Sequence, residues 1–314
     1  MRAILTILAC VAVACCSVIL ACSRTAPPPP PPPSPAPTPA TAPLRIVSLS
    51  PAVSVILRDL GHEQAIVGRH AYDVVLPASL PVCGDQSGID YESLIRAKPT
   101  HVLTQWGARA LPEKLTDMAR SQGWTLEDVP ILTVDDISTA VGTVDRAVRS
   151  VGDADALSPN ALRLQAAMRE LAHPEPKPDR SGVGKVLILI STAPPTALGP
   201  GSAHDELLRA LGATPALTDA KAYMELTHED LVRLAPDAII LFMLRTSDEH
   251  PHAGSEAGAT PTDDPWKPLR PLNLPALRRG HVAVIDDPLA LLPSTGLIPV
   301  GEKMKTLLSQ WDTK

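Results

Sequence analysis

A 13-residue unit occurs twice in this chain of 314 residues, and this repeat strongly limits the folds that the chain can adopt. The first copy is YESLIRAKPTHVL, residues 91–103, and the second is HEDLVRLAPDAII, residues 228–240. Each copy has the apolar spacing of a short helix, then a proline, then an apolar run typical of a strand. Four residues recur with a constant offset of 137 (229 − 92), namely Glu92, Leu94, Arg96 and Pro99 as Glu229, Leu231, Arg233 and Pro236. We therefore expect two comparable α/β units.

The segments around each copy alternate strands and helices, which favours mainly parallel sheets. Residues 137–173 differ, because their apolar residues keep helical spacing without a convincing strand. The predicted fold is α/β, with two Rossmann-like lobes, residues 44–136 and 174–314, joined by a single long backbone helix over 137–173. Two helices placed end to end are the alternative, since Pro159 can break a helix.

The N-terminus reads as a targeting segment and a tether. Residues 1–21 have the basic and apolar regions of a signal peptide, and the run VILACS resembles a bacterial lipobox, which predicts lipidation of Cys22. A plain secretory signal cleaved nearby is the alternative. Residues 22–43 are the predicted tether, and their proline-rich part, residues 25–43, favours an extended form of roughly 60 Å at about 3.1 Å per residue. We expect a location in the periplasm or at the cell surface, anchored to a membrane.

Composition excludes some classes of function. The net charge is −6 and aromatic residues make up only 3% of the chain, so a nucleic-acid partner is not expected.

Residues 245–268 are polar and predict a mobile loop, whose His250 and His252 lack the further ligands that a metal site needs. Cys83 is expected to be a small buried residue.

Several segments together resemble one family of receptors. RIVSLSPAVSVILRDLG, IDYESLIRAKPTHVL, HDELLRALGA, LTHEDLVRLAPDAIIL and LPALRRGHVAVID follow one another as in the class III periplasmic substrate-binding proteins. These are the cobalamin, haem and iron-siderophore receptors of ABC importers. The resemblance covers residues 45–308. It implies a monomer that binds a metal chelate between its lobes, has no intrinsic cofactor, and delivers the ligand to an ABC permease dimer.

The resemblance also implies roles for individual residues. Glu92 and Glu229 correspond to the glutamates that dock each lobe onto arginines of the permease, although an acid in the first turn of a helix is favourable for local reasons too. His70 is also considered as an axial metal ligand. The residues expected to line the ligand cleft are Ser50, Pro51, His70, Tyr72, Asp85, Gln86, Gln105, Trp106, Tyr223, Asp286 and Asp287.

The ligand itself stays open at this point. Only Arg69 and Arg109 lie near the expected rim, so a largely apolar tetrapyrrole fits slightly better than a highly charged chelate. A divalent metal-ion receptor of the related metal-binding cluster and a tethered scavenger without a permease are the alternatives. An enzyme is not expected, because the G-x-S-x-G, H-E-x-x-H and phosphate-loop patterns are missing from the sequence.

Overall fold

Two six-stranded sheets organise the chain in the computed structural model, which describes residues 43–107, 110–149, 156–219, 221–243 and 264–312. We call the first sheet with its helices the N-terminal lobe and the second the C-terminal lobe. Both belong to one compact unit, Ala42–Lys314. The predicted signal peptide, Cys22 and nearly all of the tether lie outside the described residues.

The N-terminal lobe is mainly parallel. Its strands are β1 (Ile46–Ser48), β2 (Ile66–His70), β3 (Val82–Asp85), β4 (Gly88–Ile89), β5 (His101–Thr104) and β6 (Thr125–Asp128), and its helices are α1 (Pro51–Leu60), α2 (Tyr91–Ala97) and α3 (Glu113–Gln122). The strand order is β4-β3-β2-β1-β5-β6. Every neighbouring pair except β3 and β4 is parallel, so five strands end at one edge of the sheet.

Two helices, α4 (Val134–Val148) and α5 (Pro159–Ala172), follow this lobe. They lie antiparallel, because the Ser158 hydroxyl donates to Asp145 Oδ1 at 2.5 Å and Gln165 Nε2 donates to the Ser138 carbonyl at 2.8 Å. The prediction of a single backbone helix over 137–173 is therefore wrong, as is the end-to-end alternative.

The local reason for this hairpin lies at the start of α5. Pro159 has no backbone N–H and suits the first position of a helix, and the Ser158 side chain accepts a hydrogen bond from the Ala161 N–H as its N-cap. A new helix thus begins here instead of the old one continuing. Both helices contact α1 of the N-terminal lobe.

The C-terminal lobe is α/β as well. Its strands are β7 (Lys185–Thr192), β8 (Pro195–Leu198), β9 (Thr214–Pro215), β10 (Tyr223–Glu225), β11 (Ala238–Met243) and β12 (Val282–Asp286), and its helices are α6 (Ala203–Ala210), α7 (His228–Leu234), α8 (Pro275–Arg279) and α9 (Leu297–Asp312). The order is β10-β8-β7-β11-β12, and β9 pairs with β7. Strands β7, β11 and β12 are parallel to one another, whereas β8 is antiparallel to both of its neighbours. The predicted fold class, α/β with two mainly parallel sheets, is confirmed.

The sequence repeat is also a structural repeat. Helices α2 and α7 have seven residues each and begin 137 positions apart (228 − 91). Each ends at a left-handed residue, Lys98 with φ 47° and Ala235 with φ 43°, directly before the proline. Strands β5 and β11 then begin at His101 and Ala238, again 137 apart (238 − 101). The two helix–strand steps are therefore equivalent in backbone conformation.

One apolar core runs through both lobes and the hairpin. A single cluster of buried side chains includes Ile46 of β1, Val141 of α4, Met168 of α5, Ile188 of β7 and Leu308 of α9. Burying such side chains stabilises the fold by about 1.5–3 kcal/mol each. The lobes are thus packed together through α4 and α5.

Two hydrogen bonds between distant parts of the chain add to this packing. The Val134 N–H at the start of α4 donates to Glu206 Oε2 of α6 at 2.8 Å. The Thr295 hydroxyl before α9 donates to Asp59 Oδ2 of α1 at 2.6 Å. Each bond ties an element on the N-terminal side to one of the C-terminal lobe.

The predicted loop 245–268 lies mostly outside the described residues, up to position 263. From Asp264 the chain is held by hydrogen bonds of the Asp264 carboxylate with the Trp266 N–H at 3.1 Å and with Arg270 Nε at 2.7 Å. Trp266 packs against the apolar cluster beside α7 and α8. Within the described part of the chain, no helix is both long and apolar enough to cross a membrane.

Candidate functional site

The carboxyl edge of the N-terminal sheet brings together Ser50 and Gln105, which follow the adjacent strands β1 and β5. The Ser50 hydroxyl donates to Gln105 Oε1 at 2.7 Å, and Gln105 Nε2 donates to the Ile131 carbonyl at 3.2 Å. Ser50 also caps α1 by accepting from the Val53 N–H, and it is buried. We conclude that Ser50 positions the Gln105 amide, which is half-buried, at the edge of the sheet.

Trp106 is oriented by an acid that the sequence analysis missed. Asp128 at the end of β6 accepts from the Trp106 N–H and from the Thr104 hydroxyl, both at 2.7 Å. Because a buried edge needs its backbone donors satisfied, this carboxylate fixes the path of the segment that carries the indole. An aspartate closing a strand was the only available sequence signal, and many aspartates share it.

His70 and Tyr72 also lie at this edge, with ring centroids 5.7 Å apart. His70 Nδ1 accepts from the Tyr72 N–H at 3.2 Å. Burial lowers the pKa of His70, although the Asp73 carboxylate and a hydrogen bond with the Asp85 backbone oppose that shift. The ring is thus neutral near pH 7, and its proton is assigned to Nε2. A metal ligand needs a free nitrogen lone pair, so this tautomer disfavours His70 as an axial ligand.

Arg69 does not act as a free cation at the rim. Its guanidinium is buried and donates to the carbonyls of His70, Ala71 and Ala78 at 3.0, 3.2 and 3.3 Å. The arginine therefore holds the loop after β2 in place. Arg109, the other basic residue expected near the rim, lies outside the described residues.

The turn between β3 and β4 carries Asp85 and Gln86, both exposed. Asp85 Oδ1 accepts from the N–H groups of Ser87 at 2.7 Å and Gly88 at 3.1 Å. Gly88 has a φ of 149°, which side-chain-bearing residues rarely adopt. The turn is thus locally fixed and presents Gln86 to solvent.

Tyr223 is the counterpart of Gln86 in the C-terminal lobe, since each stands six positions before the glutamate of its repeat (92 − 86 and 229 − 223). It is exposed on β10 and pairs with Leu198. Glu225, which the sequence analysis missed, lies two residues, roughly 7 Å, farther along the same strand and is also exposed. The tyrosine ring therefore stands somewhat back from the carboxyl edge of β7.

Asp286 and Asp287 end β12 but have different surroundings. Asp287 pairs with Lys303 of α9 at 2.7 Å and accepts from the Leu289 N–H at 2.9 Å, so it is structurally engaged. Asp286 is exposed and, with Glu302, Lys303 and other C-terminal residues, lines a groove of about 580 Å³ between β12 and α9. None of the residues lining that groove comes from the N-terminal lobe, so it is not the predicted cleft.

A second cavity, of about 350 Å³, does lie between the lobes. Arg58 and Asp59 line it from α1, Arg163 from α5, and Thr295 from the C-terminal lobe. These α1 residues stand toward the opposite end of the helix from Ser50 and Pro51, about 12 Å away at roughly 1.5 Å per residue. This cavity is thus at the back of the predicted cleft.

An exposed apolar residue, Leu132, follows β6 and adjoins the Ile131 carbonyl that holds Gln105. It adds an exposed apolar side chain next to the residue that holds the Gln105 amide. The sequence analysis missed it because one leucine in a short connection has no distinctive pattern.

The two glutamates of the repeat are exposed on short helices whose caps are other residues. Asp90 accepts from the Glu92 N–H at 3.0 Å, and Thr227 forms a capping box with Asp230. Glu92 pairs with Arg96 at 2.5 Å, whereas Glu229 has no such pair among the described residues. Helix capping therefore does not require either glutamate.

Neither a metal site nor a reactive cysteine has support in the geometry of the described residues. Among the residues that the structure describes, no group of three histidine, cysteine or carboxylate side chains is placed to hold a metal ion. Cys83 is buried, and burial raises the pKa of its thiol to about 11, so it is inert near neutral pH.

Two α/β lobes joined through a helical hairpin, with polar and aromatic side chains at the strand ends, define a two-lobed binding protein of the periplasmic type. The chain belongs to the periplasmic binding protein family, whose family model matches residues 46–289. It is accordingly a periplasmic substrate-binding receptor of ABC transport and not an enzyme, as predicted. Family membership also confirms the expected location in the periplasm or at the cell surface.

Comparisons with individual proteins agree with this assignment. An uncharacterized ABC transporter substrate-binding lipoprotein of Bacillus subtilis, YvrC, is 24% identical over 269 residues, or 83% of this chain and 79% of that protein. The periplasmic vitamin B12 binding protein BtuF of Vibrio cholerae has a TM-score of 0.62 at 17% identity, with 86% of this chain and 98% of that chain covered. The periplasmic heme binding protein HutB of the same species has a TM-score of 0.61 at 21% identity, with 84% and 98% covered.

Proposed function

We propose that this chain is the lipid-anchored receptor of an ABC importer and that it captures a cobalamin-, haem- or iron-siderophore-like chelate between its lobes. The observation that carries the proposal is the structural repeat, which places an exposed glutamate at the same point of each lobe. Similar solved structures have vitamin B12 or heme in their names, which supports a metal chelate as the ligand class. Cys22 is the proposed lipidation site, and the lipoprotein relative supports it.

The charges at the strand ends favour a neutral or cationic chelate within this class. Asp85 and Glu225 are exposed, whereas Arg69 is engaged with backbone carbonyls. An anionic ferric siderophore would lack a free cation among the described residues of this edge, and like charges would repel it. Cobalamin, which carries no large negative charge, fits best.

The proposed cleft residues fall into two groups by their contacts. Ser50, Asp128 and Arg69 fix the backbone and the neighbouring side chains, so their role is positioning. We propose direct contact with the ligand for residues whose side chains are exposed or half-buried at the strand ends. These are Pro51, Tyr72, Gln86, Gln105, Trp106, Leu132 and Tyr223.

We further propose that Glu92 and Glu229 dock the receptor onto the permease. Exposed carboxylates mainly guide and orient association, because water screens their attraction in the final complex. Asp90, Thr227 and Asp230 cap the two helices, and the Glu92–Arg96 pair is exposed and therefore exchangeable, so both glutamates can meet an external partner.

A thermal-shift screen tests the ligand class. Residues 44–314, which contain every described helix and strand, are mixed separately with cyanocobalamin, haemin, ferric enterobactin, zinc and manganese. At 100 times its Kd a ligand stabilises the folded state by about 2.7 kcal/mol, which raises Tm by roughly 5–10 °C for a chain of this size. We expect this rise with cyanocobalamin. A rise with zinc or manganese alone would support the metal-receptor alternative, and no rise with any chelate would refute the proposal.

A further inference from the structure

The outer faces of α2 and α7 share more than one glutamate. In the N-terminal lobe Glu92 is followed by Ile95 and Arg96, and in the C-terminal lobe Glu229 is followed by Val232 and Arg233. Positions i, i+3 and i+4 of a helix lie on one face, so each set forms a continuous strip. We call these two sets, Glu92-Ile95-Arg96 and Glu229-Val232-Arg233, the docking strips.

The aliphatic member of each strip is unusually open to solvent. Ile95 is 51% exposed and Val232 is 53% exposed, while the preceding residues Leu94 and Leu231 are fully buried. The leucines therefore supply the apolar anchor of each short helix, and packing within the lobe does not require the aliphatic residue that follows. A single exposed aliphatic residue is ordinary, but two at equivalent positions of a repeat need a common cause.

The arginines of the strips are exposed too, with side-chain exposures of 70% for Arg96 and 76% for Arg233. Their intrahelical partners differ, because Arg96 pairs with Glu92 and Arg233 pairs with Asp230. Exposed pairs of this kind contribute little to stability and can be exchanged for partners on another protein. Each strip thus offers an acid, an apolar side chain and a base in the same order.

We propose that the two strips are the complete docking elements of the receptor and that they fit a two-fold symmetric partner. Each half of this partner presents an apolar side chain between a basic and an acidic one. The apolar contact supplies affinity that the glutamates alone lack, because burial of an aliphatic group is not screened by salt, unlike a surface ion pair. This inference rests on the docking role proposed above and names the chemistry of the partner.

A binding assay on spheroplasts of the source bacterium, with its own copy of the gene deleted, tests the strips without knowledge of the ligand. Fluorescently labelled residues 44–314 are titrated, and saturable binding is defined by displacement with unlabelled protein. We expect Ile95→Ser or Val232→Ser to weaken binding by about fivefold each and the double variant by about 25-fold, as for interface residues of moderate strength. Leu162→Ser is the matched control, since Leu162 is 56% exposed on α5 outside the repeat, and it should bind like the unmodified protein.

The outcomes separate the two proposals. The double variant Glu92→Ala, Glu229→Ala should bind more weakly, and its binding should depend less on salt concentration. If this double variant binds like the unmodified protein, the docking role itself is refuted. If the glutamate pair weakens binding but the serine pair does not, the apolar part of the strips is refuted while docking stands. If sedimentation shows that the unmodified protein dimerises and that the serine pair abolishes the dimer, the strips are an interface between copies of this chain.

Discussion

The buried carboxylate of Asp145 should be the largest single polar contributor to the hairpin between α4 and α5. Asp145 is fully buried and accepts from the Ser158 hydroxyl at 2.5 Å, from the Ser158 N–H at 2.9 Å and from Arg149 Nη1 at 3.5 Å. A hydrogen bond to a charged group contributes about 1.5–3 kcal/mol. The two short bonds dominate, and we therefore expect Asp145→Ala to lower the free energy of unfolding by about 3–5 kcal/mol.

Urea denaturation followed by circular dichroism measures this loss. A domain of this kind has a total stability of about 5–15 kcal/mol, so the variant should show a clearly lower midpoint without a change of slope. Asp145→Asn keeps one acceptor oxygen and should lose less than Asp145→Ala. Asp117→Ala is the control, because Asp117 pairs with Arg120 on an exposed face of α3 and should cost no more than about 1 kcal/mol.

A small loss of stability would contradict this role of Asp145. Suppose that the free energy of unfolding of Asp145→Ala lies within about 1 kcal/mol of that of the unmodified protein, the loss expected of an exposed ion pair. The carboxylate would then not hold the two helices together. The antiparallel hairpin would then owe its stability to apolar contacts alone.

Two further predictions concern backbone fit and acidity. Gly212→Ala should lower the free energy of unfolding by more than about 3 kcal/mol, because a Cβ there would stand 1.9 Å from the Pro178 carbonyl oxygen. Gly123 also has a left-handed backbone but open space around it, so Gly123→Ala should lower it by only about 1–2 kcal/mol. Equal urea midpoints for the two variants would refute this prediction. Burial lowers the pKa of four histidines below the ordinary value of 6.5, namely His62, His70, His101 and His204. Below pH 6.5 the unfolded chain therefore binds more protons than the folded chain. The free energy of unfolding should be highest above pH 6.5 and decrease as the pH falls below it. Each histidine changes the free energy of unfolding by at most about 1.4 kcal/mol per pH unit. Urea midpoints that stay level or rise as the pH is lowered from 7.5 to 5.5 would contradict this pH dependence.

The repeated motif explains why the fold class was predictable from sequence. Its helix, the left-handed residue before proline and the following strand depend on neighbours only a few positions apart, such as Asp90 capping α2 and Lys98 preceding Pro99. Local chemistry of this kind is visible in the sequence. The direction of α5 was not, because Pro159 permits a kink, an end-to-end stack or a reversal, and only the contacts of Asp145 and Gln165 distinguish them.

The candidate site was harder to predict for a similar reason. Strand ends could be recognised, so Ser50, His70 and Gln105 were placed at one edge of the N-terminal sheet. Which of them is free to meet a ligand depends on partners far away in sequence. Arg69 is engaged by the carbonyl of Ala78 and Asp128 by the N–H of Trp106, and no local pattern announces either contact.

The continuous core has a consequence for how a ligand enters and leaves. Separating the lobes by a wide swing would expose the apolar faces of α4 and α5 and break the Val134–Glu206 and Thr295–Asp59 hydrogen bonds. Such an opening is closer to partial unfolding than to a hinge motion. A ligand held between the lobes would therefore have to enter and leave without a wide separation of the two sheets.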